Sequence, residues 1–344
     1  MHDAPRSRET RLVALDWGTS ALRAFRFDAQ GDVLQLRHRP WGMMHLPPSP
    51  DGRDDAPGAA CERALQDACG DWLAADPGVP LLACGMVGSA QGWREARYLD
   101  VPASLDDLAR GLTVVPRGAG VPLHIVPGLL QRADLPDVMR GEETQVLGVL
   151  ADVAFAGGGP LLVGLPGTHS KWVVAERRAI RRFHTFMTGE VFAALRHHTI
   201  LGRTMQAPLQ SDDAAFARGL DVARGGDAAG LGLLSHIFST RTLGLTCALP
   251  AEAQADYLSG VLIGHEVASL AGVHPPAAAA PGRVVLCGEP DLCRRYALAL
   301  QACGFPPPSV AVQATAAGLW QIAQAAGLCG THNSLSPLTE SFTA

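Results

Sequence analysis

The chain has 344 residues, 47% of them hydrophobic and 18% charged, with a formal net charge of −5. That length suits about two domains, and the globular hydrophobic share with a small net charge excludes an intrinsically disordered chain. A pI near 6.2 without a Lys/Arg run argues against nucleic acid or an anionic membrane surface as partner, and no apolar run reaches the ~18 residues of a membrane span.

Taken in chain order, the polar, aperiodic ends at 1–10 and 330–344 are expected to fray. The opening segment has no long apolar stretch of a secretory signal, so a cytoplasmic location is expected. RLVALDW predicts a buried strand, and LRAFRF and VLQLRHR predict two more around the turn DAQGD. PPSPDGRDDAPG (47–58) reads as a surface loop. CERALQDACGDWLAA predicts an amphipathic helix, PLLACGM and LHIVPGL short buried strands, and EETQVLGVLADVAF a helix with acids in its first turn.

The second half begins again with three strands, PLLVGLPG, KWVVAE and AIRRFHTF. Helices are expected over TGEVFAALRHHTILG, 212–219, GLGLLSHIFSTRTLG and QADYLSGVLIGHEVASLAG. After a Pro/Ala-rich loop (274–282) come the strand RVVLCG, the helix DLCRRYALALQACG and a closing helix, TAAGLWQIAQAAG. This alternation makes the chain α/β. Its eight cysteines form no CxxC pair and lie mostly among apolar residues, which predicts reduced core thiols.

The halves resemble each other: a shift of 149 places Gly18–Thr19 on Gly167–Thr168, each at the turn after the first strand of its half. Gly-Thr pairs also simply turn hairpins, but such a turn exposes backbone N–H groups and hydroxyls as an anion nest suited to phosphate. No Walker A loop and no GxGxxG opening a helix is present. Asp16 ends an otherwise apolar strand, where a carboxylate can hold Mg²⁺ through water. Arginine outnumbers lysine 27 to one, and the one lysine, Lys171, stands just after the second turn. Drift toward arginine codons accounts for the 27; a site needing a compact ammonium accounts for the exception. Gly288, between a strand and a helix, lets a flat ring lie close to the backbone. In DVMRGEETQ, either Glu142 or Glu143 can serve as the general base, and Arg140 can grip an acidic substrate in a bidentate pair.

On the motifs DWGTS, GMVGSAQGW, MRGEETQ, PGTHSKW, MTGE and SGVLIGHEVAS, the chain resembles the 2-dehydro-3-deoxygalactonokinase family from about Arg11 to Leu328. That family belongs to the superfamily of sugar kinases, actin and the heat-shock ATPases. The resemblance implies two ribonuclease H-like domains, here 11–153 and 160–328, with a nucleotide cleft between them as in the actin-like ATPase fold. It implies ATP and Mg²⁺ as cofactors, and transfer of the γ-phosphoryl to the 6-hydroxyl of 2-dehydro-3-deoxy-D-galactonate in galactonate catabolism. By motif, Asp16, Gly18, Thr19 and Ser20 form the first phosphate turn, Gly167, Thr168, His169 and Lys171 the second, and Gly288 marks the adenosine position. Ser89, Gln91 and Trp93 offer a hydroxyl, an amide and an aromatic face to a polyol. A homodimer is compatible with this reading, and both galactonate and gluconate epimers stay open. Two other classes share the phosphate turns: a phosphohydrolase of the superfamily, and a nucleotide-gated binding protein without a small substrate.

Overall fold

In LVALDW every residue but Asp16 is fully buried, as suits a strand covered on both faces. This is β1 (Leu12–Trp17) of the computed structural model, which describes residues 9–50, 58–118, 120–152, 155, 159–207, 210–225, 231–276, 279 and 283–329. Most of the loop at 47–58, most of the loop at 274–282 and nearly all of both polar ends lie outside the described residues.

β1 pairs antiparallel with β2 (Leu22–Phe27), which pairs antiparallel with β3 (Val33–Arg39). β3 is the edge strand, with Gln35, Leu36 and His38 exposed and the others half-buried. The expected turn at DAQGD is held by Asp28, whose Oδ1 accepts from the N–H groups of Gln30 and Asp32 at 2.9 and 3.0 Å. α1 (Ala59–Ala75) buries Leu65, Ala68, Cys69 and Trp72, the i, i+3, i+4, i+7 stripe of an amphipathic helix. β4 (Leu81–Gly85) then runs parallel to β1. The chain passes β5 (Tyr98–Asp100) and β6 (Ala103–Ser104), then α2 (Leu105–Arg110), β7 (Thr113–Val115) and β8 (Leu123–Ile125). The first sheet has the order β3-β2-β1-β4-β8-β7, with β8 parallel to β4.

Beyond it come β9 (Gly128–Gln131), β10 (Asp137–Met139) and α3 (Glu142–Ala151), then the antiparallel trio β11 (Leu161–Leu165), β12 (Ser170–Glu176) and β13 (Ala179–Phe186). Helices α4 (Thr188–His198), α5 (Asp213–Arg224), α6 (Gly232–Leu245) and α7 (Gln254–Val273) follow, then β14 (Val284–Leu286), α8 (Pro290–Ala302), β15 (Ser309–Val310) and α9 (Ala314–Ala325). The second large sheet has the order β15-β14-β11-β12-β13-β6, with β14 parallel to β11 and β15 parallel to β14. Strands β11, β12, β13, β14 and β15 therefore repeat the order and directions of β1, β2, β3, β4 and β8. α7 is buried along most of its length, which explains why its sequence shows apolar residues on all sides.

The chain forms two compact units: Met1–Arg97 with Leu105–Pro127 and Leu319–Ala344, and Tyr98–Ser104 with Gly128–Gly318. This division differs from the 11–153 and 160–328 boundaries expected above. LHIVPGL, expected as one strand, divides at Val126–Pro127 into β8 of the first unit and β9 of the second. Proline lacks the N–H a strand ladder needs, so the run cannot continue through it. All eight cysteines are free thiols, but Cys247 is exposed and Cys303 half-buried, so these two are not core residues.

Candidate active site

The first turn joins β1 to β2. Gly18 N–H donates to Ala21 O at 2.9 Å, and the Gly18 and Thr19 carbonyls accept from the N–H groups of Met43 and Met44, both at 3.0 Å. A Cβ on Gly42 would lie 2.2 Å from Thr19 O, so only glycine lets this backing segment approach so closely. With the carbonyls held from behind, Thr19 and Ser20 are exposed. Asp16 is not a lone carboxylate. Its Oδ2 takes the guanidinium of Arg23, its cross-strand neighbour on β2, while Oδ1 lies 3.9 Å from Cys84 Sγ.

The second turn joins β11 to β12 and is backed in the same way. Glu190 N–H donates to Thr168 O at 3.0 Å, and a Cβ on Gly189 would lie 2.5 Å from Gly167 O. Gly42 follows β3 and Gly189 follows β13, each by three residues, so the repeat extends past the turns themselves. The turns differ by one residue. Trp17 pairs with Leu22 across the first, Leu165 with Lys171 across the second, and Pro166 is the extra residue. Thr168 and His169 are exposed, and His169 pairs with Glu190.

Lys171 is 5% exposed, which rules out an ordinary surface lysine. Its Nζ lies 3.6 Å from Oε1 of Glu142 at the start of α3. The two adjacent glutamates have separate environments. Glu143 is fully buried, with its carboxylate accepting from Gly141 N–H at 2.6 Å and from the Thr144 hydroxyl at 3.1 Å. Burial first, then the neighbouring Glu142 charge, push Glu143 up to about 8. The Glu142 side chain keeps 25% exposure and accepts from Arg140 N–H at 3.1 Å. Burial raises its carboxyl above the usual range, and the Lys171 ammonium pulls against that rise. Arg140 is itself buried, its guanidinium carbon 4.3 Å from the centre of the Tyr98 ring.

A cavity of about 490 Å³ opens beside the second turn, lined by Gly167, Thr188, Phe192, Glu289, Arg295 and Tyr296 among others. Gly288 stands at its edge, where a Cβ would meet Pro166 O at 3.3 Å. Glu289 also caps α8, accepting from Leu292 N–H at 2.9 Å.

The model of the 2-keto-3-deoxy-galactonokinase family matches residues 16–322. The chain belongs to that family. A 2-dehydro-3-deoxygalactonokinase of Escherichia coli (strain K12) is 35% identical over 318 residues, 92% of this chain and 98% of the relative. A Rhizobium meliloti (strain 1021) protein bearing that name with the qualifier "Probable" is 37% identical over 321 residues, 91% of this chain and 96% of its own. A crystal structure from Sinorhizobium meliloti, provisionally given the same name, is 34% identical, with a TM-score of 0.76 over 91% of this chain and 98% of its own.

The site residues expected from the sequence fall on both units. Lys171, Glu142, Glu143, Arg140, Gly167, Thr168, His169 and Gly288 lie in the second, and Asp16, Gly18, Thr19, Ser20, Ser89, Gln91 and Trp93 in the first. Ser89 is 7% exposed, and its hydroxyl has no hydrogen-bond partner among the described residues. Gln91 is exposed, while Trp93 packs edge-on against Trp17 at 6.2 Å. Among the described residues no three His, Cys, Asp or Glu side chains gather as a metal cage. Mg²⁺ is ordinarily held by one or two carboxylates together with phosphate oxygens and water, so Asp16 Oδ1 fits as a single anchor. Nothing local in MTGE or SGVLIGHEVAS marks a role for Thr188 or Glu266, and Phe192, Arg295 and Tyr296 carry no sequence signal of their place beside the second turn. Only the packing of α4, α7 and α8 brings these residues to the second turn.

Proposed function

We propose that the chain transfers the γ-phosphoryl group of ATP to the 6-hydroxyl of 2-dehydro-3-deoxy-D-galactonate in the cytoplasm. The observation that carries this reading is the pairing of buried Lys171 with half-buried Glu142, just after the second of two repeated Gly-Thr turns. Family membership favours this kinase reading over the phosphohydrolase and binding-protein alternatives. The repeated five-strand order, three antiparallel strands and two parallel additions, supports reading each unit as a ribonuclease H-like domain.

Each residue then has a task. The cavity beside the second turn takes the nucleoside, and its volume of about 490 Å³ lies in the range of small-molecule sites. The turns hold phosphate oxygens through backbone N–H groups and hydroxyls. Arg140 receives the sugar acid's carboxylate as a bidentate pair, and Ser89, Gln91 and Trp93 contact its hydroxyl-bearing carbons. Glu142 accepts the proton of the attacking hydroxyl, because it keeps an exposed face and a cation that favours its ionised form. The hydroxyl oxygen bonds to the γ-phosphorus, the bond to the bridging oxygen breaks, and ADP leaves with that oxygen. Lys171 supports the charge on the group in transit. Mg²⁺, when bound, neutralises phosphate charge, and Asp16 would hold it.

The test is a coupled assay of ADP release with 2-dehydro-3-deoxy-D-galactonate, with its gluconate epimer and with no acceptor. Turnover that needs the galactonate compound supports the reading. Equal turnover without any acceptor would point to a hydrolase instead.

A further inference from the structure

Glu266 lies within α7, 3% exposed, and has no part in the steps above. A carboxylate so deeply buried persists only when donors satisfy it. Its Oε1 accepts from Ser170 Oγ at 2.8 Å and from Trp172 Nε1 at 2.7 Å. Its Oε2 accepts from the Tyr296 hydroxyl at 2.7 Å.

These partners have a pattern. Ser170 and Trp172 are the two neighbours of Lys171 on β12, and strand alternation sends both to the face of α7 and Lys171 to the opposite face. Tyr296 lines the cavity beside the second turn. One carboxylate thus grips the strand on both sides of Lys171 and, through Tyr296, one wall of that cavity. Indole N–H can only donate, so Trp172 needs an acceptor at this place. An unsatisfied buried donor would be costly, and the strand would turn to find another partner.

We infer that Glu266 is a positioning residue for phosphoryl transfer, aiming Lys171 by holding Ser170 and Trp172 and linking that aim to the nucleotide cavity through Tyr296. This rests on the kinase reading of the site. A group displaced by about an ångström can cost on the order of 100-fold in rate, so a clamp on the flanking residues has a measurable consequence.

The experiment is a double-mutant cycle on the full chain, with kcat and KM for ATP and for the sugar acid measured in wild type, Glu266→Gln, Lys171→Met and the double variant. Glu266→Gln should lower kcat roughly tenfold while leaving KM for the sugar acid within about twofold. In the Lys171→Met background the same substitution should leave the residual kcat unchanged, since there is no longer an ammonium to aim. Equal fold losses in both backgrounds would overturn the inference and leave Glu266 a structural residue. If Glu266→Gln fails to fold, Trp172→Phe replaces it in the cycle and is judged by the same outcomes, because it removes one donor and keeps a ring in place. An inactive wild type would bring down the kinase reading itself, whereas an active wild type with equal losses brings down only this inference.

Discussion

The Lys171 ammonium and the Glu142 carboxylate lie 3.6 Å apart, one on β12 and the other at the first turn of α3. Burial raises the Glu142 carboxyl, and the Lys171 ammonium pulls against that rise. The pair also places a proton acceptor beside a compact cation, the combination that phosphoryl transfer to a hydroxyl requires.

Lys171→Arg should therefore lower kcat by on the order of 100-fold although the charge is kept. Lys171 is 5% exposed, and a planar guanidinium cannot occupy the same space without displacing Glu142 or the strand. Steady-state kinetics with a thermal melt for each of Lys171→Arg and Lys171→Met separate loss of catalysis from loss of fold. Near-wild-type kcat in the Arg variant would falsify the point-charge role.

Glu142→Gln should remove between about 100- and 10,000-fold of kcat, the usual range for a general base. Glu143→Gln should do much less, because its carboxyl, pushed up to about 8, is already largely protonated near neutral pH. Comparing kcat of the two variants at pH 7 decides the matter, and comparable losses in both would undo the assignment.

Glu143 also has a signature in stability. Its carboxyl is near 4.5 when unfolded and about 8 in the native state, so between those values the folded chain binds more protons. The stabilisation is complete below about 4.5 and is lost as pH rises toward 8. The melting temperature of wild type should fall relative to Glu143→Gln across that window. Parallel curves from pH 5 to 8.5 would show that Glu143 does not hold its proton.

Asp16→Asn should raise the Mg²⁺ concentration needed for half-maximal turnover and lower kcat, with little effect on the fold. The strand position and volume are kept, while the metal's anchor and the partner of Arg23 lose their charge. An unchanged Mg²⁺ titration would move the anchor elsewhere.

Gly189→Ala should raise KM for ATP more than KM for the sugar acid. The new Cβ would lie 2.5 Å from Gly167 O, so the second turn must move away from its backing helix. Gly42→Ala carries the same expectation for the first turn, where the clash is with Thr19 O at 2.2 Å. Unaltered KM values in both variants would separate the turns from phosphate binding.

The central strands, the long helices and the repeated Gly-Thr turns could be read from the chain alone, because local apolar periodicity and turn chemistry are properties of short segments. The exceptional lysine could be read too, since composition needs no fold. Four decisions belonged to tertiary structure. Pro127 ends one strand and sends the next to the other unit, so the division of the chain falls earlier than the sequence halves suggest. Glu142 and Glu143 look alike in sequence, but packing sealed one completely and left the other facing Lys171. Asp16 acquired Arg23 only through the β1–β2 register. Glu266 sits within an apolar helical pattern, and its three partners, Ser170, Trp172 and Tyr296, come from two other elements, 30 to 96 residues away. A carboxylate buried for such partners has no local signal, because what stabilises it exists only once the chain has folded.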